Sequence, residues 1–323
     1  MAAERTIQAQ PKRTSNASVK TVPKRKIRTT TGEKIFNICN IGVLLLLCLV
    51  TLYPFWYVLV LSFNVGIDAA KGPIWFWPRA FTLDNYSYVF ANPMIKSAFL
   101  VTIGRALIGS LFSLSVMLLA AFALSKRFLP GRRVILYFLM IPMFISGSLI
   151  SNYVVMVKLG LLNNFLVYII PGAFSFFFMI IIRTFIEQIP EGVEESAMID
   201  GAGYYQIFIK IIVPLCKPIL AAMLFFSIVG HWLDFGTNLL YVNEQKLYVL
   251  QFVLYLVVIA NKGADMINLM QYSGTVPTVK DAVPTPEVLK MSTLMVVTLP
   301  LLFVYPFFQR FFVKGMMVGA IKA

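Results

Sequence analysis

The sequence predicts an all-α polytopic membrane protein with about six transmembrane helices, and three observations carry that reading. Of its 323 residues, 59% are hydrophobic and 13% are charged, with a mean hydropathy of +0.80; a soluble domain has about 45–50% apolar and about 25% charged residues. The apolar residues are gathered into long runs, and a spanning helix needs about 20 of them. Lysines and arginines cluster in alternate connections, as expected where those connections face the cytoplasm. A chain of this length could fill one or two soluble domains, but such domains could not enclose this much apolar surface.

The runs follow in order. The first is Ile35–Phe63, whose second half carries Tyr53, Phe55, Trp56 and Tyr57, residues suited to a membrane interface. Asn64–Pro93, with Trp75 and Trp77, reads as an external loop. Met94–Leu124 and Val134–Val157 are the second and third spans, joined by the basic turn Ser125–Arg133. Gly160–Asn164 turns the chain into the fourth span, Phe165–Phe185. The fifth is Pro218–Tyr241 and the last is Met291–Phe312. Within the external segment 242–290, the run Leu247–Ile259 is too short for a confident span; it reads as a helix in the interface, with a re-entrant segment as the alternative.

Charge orients the chain. The formal net charge is +14, and much of the excess sits in residues 1–34, where Arg5, Lys12, Arg13, Lys20, Lys24, Arg25, Lys26, Arg28 and Lys34 face only Glu4 and Glu33. With almost no large apolar residues, that tail reads as disordered. It can touch anionic membrane lipid, but the plainer reading is a topology signal, with no nucleic-acid partner. Further basic groups fall at Lys126, Arg127, Arg132 and Arg133, around Arg183 to Lys217, and at Arg310, Lys314 and Lys322. Both termini are expected in the cytoplasm. Cys39, Cys48 and Cys216 have no metal-ligand spacing, so neither metal nor disulfide framework is expected. The N-terminus lacks the pattern of a cleavable signal peptide.

The segment 187–214, EQIPEGVEESAMIDGAGYYQIFIKIIVP, is the most informative. Pro190 punctuates a short helix over Glu191–Ile199, with acids in its first turn to complement the dipole. Asp200-Gly201-Ala202-Gly203 breaks it, since glycine accepts the left-handed conformation that ends helices. A second amphipathic piece, Tyr204–Ile212, is expected to put Tyr205, Phe208 and Ile212 on one face. Apolar knobs and carboxylates on a cytoplasmic surface suit docking into a partner's cleft.

This pattern resembles the EAA loop, E-A-A-x3-G-x9-I-x-L-P, of bacterial ABC-importer permeases. Glu195, Ser196 and Ala197 stand for E-A-A, Gly201 for the glycine, Ile211 for the isoleucine and Pro214 for the proline; Ser196 and Val213 are the departures. Ala121-Phe-Ala-Leu-Ser125 with Pro130-Gly131-Arg132, Leu159-Gly160-Leu161-Leu162-Asn163, and Trp232-Leu-Asp234-Phe235 are similar to segments of the carbohydrate-type permeases. The ending, Tyr305-Pro306-Phe307-Phe308-Gln309-Arg310 through Gly319-Ala320-Ile321-Lys322, is similar to the subgroup containing LplC and YtcP. The resemblance covers residues 35–323, expected to form one permease domain.

The resemblance implies a pore-forming subunit that pairs with a second, similar permease. Two ATP-binding subunits would dock on the EAA loops, and an extracytoplasmic sugar-binding protein would deliver an oligosaccharide or polysaccharide fragment. Independently, no G-x-x-x-x-G-K-[ST] phosphate loop occurs, so the chain is not expected to be an enzyme or to hold a cofactor. Coupling is expected at Glu191, Glu194, Glu195, Ser196, Ala197, Asp200, Gly201, Ala202, Ile211 and Pro214, with Glu191, Glu194 and Asp200 also readable as solvated. Ionisable groups in lipid are expensive and tend to face cavities or partners, so Arg105 and Asp234 are substrate-pathway candidates, with structural pairing or interfacial snorkelling as the alternatives. Trp232, Asn152, Tyr153 and Asn238 join them, although satisfied contacts between helices would also explain the polar ones. His231 reads as structural. The alternative function, an ion- or proton-coupled secondary transporter, would need intramembrane carboxylates and broken helices, and Asp234 is almost the only such group.

Overall fold

A computed structural model of the chain describes residues 30–145, 147–258 and 285–320, from Arg310 onward as backbone alone. The expected basic tail thus lies almost wholly outside the described residues, as does the expected external stretch from Ile259 to residue 284. The chain divides into two units, Met1–Leu52 and Tyr53–Ala323. The described part of the first is the beginning of helix α1 (Thr31–Ser62). Its side chains are exposed on every side, Leu44, Leu45, Leu46 and Leu47 included. A helix that is apolar all round suits lipid.

In the second unit, the expected external loop is more ordered than a loop. It holds α2 (Gly66–Ala69) and α3 (Asp84–Ala91). Asn85 Nδ2 donates to the carbonyls of Ser62 and Asn64 at 2.9 and 2.8 Å, closing α3 onto the end of α1. Asp68 accepts from Asn64 Nδ2 at 3.1 Å and from Arg79 Nε at 3.0 Å. These bonds, Asn64's foremost, hold the Asp68 carboxyl below the usual carboxylate range. Trp56 Nε1 donates to the Phe76 carbonyl at 3.0 Å.

The second expected span is one continuous stretch, α4 (Pro93–Gly104), a π turn (Arg105–Gly109) and α5 (Ser110–Ser125). Asn92 caps its start by accepting from Met94 N at 2.9 Å, and Pro93 occupies a first-turn position whose missing N–H costs nothing. The third expected span is α6 (Arg132–Phe144) with α7 (Leu149–Lys158). The fourth is helical only over α8 (Phe176–Ile186), behind a 3₁₀ turn at Phe165–Tyr168; Pro171 and Gly172 lie in the non-helical stretch between them. After α9 (Glu191–Ile199), α10 (Tyr204–Ile207), a π turn (Phe208–Ile212) and α11 (Val213–Leu215) comes α12 (Lys217–Leu233). The fifth expected span breaks at Asp234 and resumes as α13 (Gly236–Tyr241). Helix α14 (Leu250–Val258) and the long α15 (Pro286–Ala320) complete the described fold. Among the described residues, three helices are long and apolar enough to cross a membrane, or up to five if each of two bent pairs is one span; α8 is a shorter apolar helix.

Two large cores, with smaller ones beside them, hold the described helices. One joins Met117 and Ala121 of α5 to Met179 and Ile182 of α8 and to Ile207, Ile212 and Met223. The other joins Val89, Ile95 and Ala98 to α14, α15 and Trp232. Lipid is as apolar as these side chains, so association rests on close packing, which small residues such as Ala98 and Ala121, both 0% exposed, permit.

Helix α14 corrects the interfacial reading of Leu247–Ile259. An interfacial helix keeps one face wet, but no side chain of α14 is exposed, and Leu250, Val253 and Val257 pack in the second core. Apart from Gln251, its sequence, LQFVLYLVV, is apolar on all sides, as a buried helix needs.

Candidate functional site

The 187–214 segment forms the expected helix–turn–helix, and its turn has a specific cause. Gly201 takes φ +84°, Gly201 N donates to the Met198 carbonyl at 3.0 Å, and Ala202 N reaches back to the Ala197 carbonyl at 2.9 Å. This is the paired capping pattern of a Schellman end. Ala197 and Ala202 pack against the first core, as the pattern's apolar contact requires. Ser196 Oγ donates to the Gly192 carbonyl at 2.7 Å, so its hydroxyl is satisfied within α9. Ile211 is partly buried against the first core, and Pro214 is exposed in α11.

The second half departs from expectation. Tyr205 does not share a face with Phe208 and Ile212: it is 76% exposed, while Ile207 and Ile212 are both 0% exposed. The π turn explains this. Its i→i+5 closure brings residue 212 over 207, a register that a 3.6-residue period does not anticipate. Ile199 stands 86% exposed, and Val193 and Met198 are also outward. Of the apolar face the sequence suggested, only Tyr205 is outward; Phe208 packs against the first core and Ile212 is buried.

The acids of the loop divide into two groups. Lys126 pairs with Glu194, whose side chains are 12% and 17% exposed, and Lys126 also stands over the Phe122 ring at 4.4 Å. Glu187 receives both Arg132 and Arg183, the latter at 2.8 Å, and Arg183 Nε donates to the Leu124 carbonyl at 3.0 Å. Glu194 is thus turned inward, tying α9 to the end of α5. Glu191 meets Arg127 at 3.4 Å with both side chains exposed, a pair worth little in water. Glu195 and Asp200 are exposed and make no ion pair among the described residues. A cleft of about 610 Å³ opens beside this loop, bordered by Lys126, Phe128, Glu195, Met198 and Tyr204.

A second site lies where two helices are irregular. Arg105 opens the π turn, and Asp234 sits at the break after α12. Arg105 Nη1 donates to the Asp234 carbonyl at 2.9 Å, Nη2 pairs with the Asp234 carboxylate, and the guanidinium lies 4.7 Å over the Tyr168 ring. The other carboxylate oxygen accepts from Thr237 N at 3.1 Å, capping the resumed helix. A helix broken in a membrane must have its freed backbone groups satisfied from within the protein, and Arg105 does this. At 2% exposure it is not a snorkelling residue. Asp234 faces a cavity of about 340 Å³ with Tyr168, Ser113, Ser175, Ser227 and Thr237. Nothing in the sequence marks those five hydroxyls. His231 borders this cavity too, and packs so closely on Gly109 that a Cβ there would lie 2.8 Å from its ring.

The other pathway candidates fall elsewhere. Trp232 is buried and donates Nε1 to the Val297 carbonyl at 3.1 Å. Asn238, 0% exposed, accepts from Val249 N at 2.8 Å and donates to the Val242 carbonyl at 3.2 Å. Both are contacts that fasten helices, and neither residue lines the cavity. Asn152 and Tyr153 are exposed on α7, away from it; Tyr153 stacks on Tyr241 with centroids 6.0 Å apart.

Comparison with known proteins adds the following. The profile of the family described as "Binding-protein-dependent transport system inner membrane component" matches residues 117–318, a span that includes the whole loop and Asp234. The chain is similar to Protein LplC of Bacillus subtilis (strain 168), 36% identical over 296 residues, with 92% of this chain and 98% of that protein covered. It is also similar to the polygalacturonan/rhamnogalacturonan transport system permease protein YtcP of the same organism, 34% identical over 291 residues, with 90% and 99% covered. Among solved structures it is similar to a chain of a bacterial ABC transporter involved in the import of the acidic polysaccharide alginate. There the TM-score is 0.80 at 25% identity, covering 88% of this chain and 99% of that one.

Proposed function

Starting from the fact that the chain belongs to the family of binding-protein-dependent transport inner-membrane components, we propose that it carries oligosaccharide or polysaccharide-derived sugar across the membrane. It does so as half of a pore shared with a second, non-identical permease. Two separate ATPase subunits drive it, and an extracytoplasmic sugar-binding protein loads it. Both termini and the α9–α10 loop face the cytoplasm.

The observation that carries this reading is the division of labour within the loop. The Schellman turn and the Glu194–Lys126 pair fix α9 to the bundle, while Glu195, Ile199 and Tyr205 are left facing outward. A surface held from behind and open in front suits force transmission. When ATP closes the ATPase pair, α9 moves with its docking cleft, the Lys126 link draws the end of α5, and the bundle changes between its two openings. Arg105 and Asp234 lie on the pathway side of that bundle, and the hydroxyls around Asp234 can hydrogen-bond sugar.

A proton-coupled carrier is disfavoured by the family membership and by Asp234 itself, whose carboxylate is already engaged by Arg105 and Thr237. The test of the proposal is retention of the ATPase subunits by affinity-tagged chain. Glu195→Ala should insert normally yet retain less ATPase, since breaking one ion pair at a partly buried interface costs several kcal/mol, about 2–5. Wild-type retention together with wild-type uptake would remove the loop from the mechanism.

A further inference from the structure

The turn between α5 and α6, which carries Pro130-Gly131-Arg132, has no role in the coupling scheme above. It borders a cavity of about 650 Å³ lined by Arg127, Arg132, Arg133 and Arg183 together with Leu129 and Leu136, and by no carboxylate. We propose that this cavity seats the headgroup of an anionic phospholipid of the cytoplasmic leaflet, with its acyl chains running along α6.

Charge supports this first. The four guanidiniums meet two carboxylates: Glu187, shared by Arg132 and Arg183, and Glu191, at 3.4 Å from Arg127 with both exposed. Four against two leaves the cluster at +2, and Arg133 makes no ion pair among the described residues. Arg132 Nε is buried with no hydrogen-bond partner. A guanidinium fork matches two oxygens of a phosphodiester, so a phosphate supplies the missing charge.

Placement supports it second. The cavity opens where a membrane helix begins. On α6, Val134 is 72% exposed and Phe138 is 71% exposed, beside the partly buried Leu136, so apolar surface continues directly from the arginine cluster. Free phosphate would gain nothing from that surface; a lipid uses both parts. Basic pockets of this kind, between transmembrane segments on the cytoplasmic side, suit anionic headgroups. The proposal rests on the cytoplasmic placement of the α9–α10 loop, which the experiment tests separately.

The test uses the whole transporter complex with spin-labelled phosphatidylglycerol or phosphatidylcholine, reading the motionally restricted fraction of each. The wild type should hold phosphatidylglycerol several-fold in preference. The double variant Arg127→Gln/Arg133→Gln, at two exposed positions, should lose that preference while restricting phosphatidylcholine as before. Equal restriction of the two lipids by the wild type, or an undiminished preference in the variant, would overturn the proposal. So would a variant that sheds its ATPase subunits with lipid selectivity unchanged, because the arginines would then serve a protein partner. In right-side-out vesicles, external ascorbate should spare the restricted label. Its rapid reduction would reverse the assigned orientation while leaving the lipid site standing.

Discussion

Replacing Gly201 with valine should uncouple transport without unfolding the protein, and the structure sets the scale. Gly201 holds φ +84°, and a Cβ built there meets nothing within 4 Å. The cost is therefore backbone strain alone, about 1–2 kcal/mol for an L-residue in the left-handed region, with β-branching adding further restriction. That corresponds to a roughly 5- to 30-fold loss of the closed turn relative to frayed alternatives. The loss falls on Ala202 N and Gly201 N, the two donors that end α9. Uptake by reconstituted complexes should fall in the same range, with membrane insertion unchanged. Asparagine, which tolerates the left-handed region, should fall between glycine and valine, with alanine nearer valine. Gly160 supplies the control: it ends α7 at φ +67° with the same pair of bonds, Gly160 N to the Val157 carbonyl and Leu161 N to that of Met156, both at 3.0 Å. Gly160→Val carries the same backbone cost away from the loop and should retain more uptake. Equal loss from both variants, or no loss from Gly201→Val, would refute the reasoning.

Two further predictions concern the bundle and its orientation. Asp234→Ala leaves Arg105 buried without its counter-charge, which costs about 3–5 kcal/mol for a fully buried pair and less here because the Asp234 side chain is 35% exposed. Asp234→Asn keeps the backbone carbonyl that Arg105 Nη1 uses and one side-chain acceptor oxygen in place of two, so it should assemble while altering uptake. The double variant Arg105→Met/Asp234→Leu should melt higher than Asp234→Ala; a lower Tm for the double variant would show that the pair is not what holds the break. With Cys39, Cys48 and Cys216 replaced, Asp84→Cys should react with an impermeant thiol reagent from outside intact cells, and labelling only after permeabilisation would invert the topology.

Much of the molecule follows from local chemistry and was legible without coordinates. Run lengths placed α1, the long second span and α15, because crossing lipid demands about 20 apolar residues wherever they occur. Pro190, the acids after it and Gly201 announced α9 and its end, because capping is decided within a few residues. Of the loop's expected surface, Glu195 is outward, while Tyr205 left the face expected for it with Phe208 and Ile212 because a π turn changed the register.

What only the tertiary structure decided are the pairings between distant residues. Arg105 and Asp234 lie 129 positions apart, and their meeting depends on a π turn in one helix facing a break in another. Glu194 is internal because Lys126 reaches it across 68 positions. By sequence Trp232 and Asn238 are pathway candidates, with a satisfied contact between helices as the alternative for Asn238; in the fold each bonds a backbone carbonyl or amide of a distant segment. Helix α14 is buried because α4 and α15 enclose it. Local sequence sets how each segment turns and how apolar it is. Which polar group satisfies which across the bundle is a property of the packed whole, since a buried donor accepts whatever partner the packing places within reach.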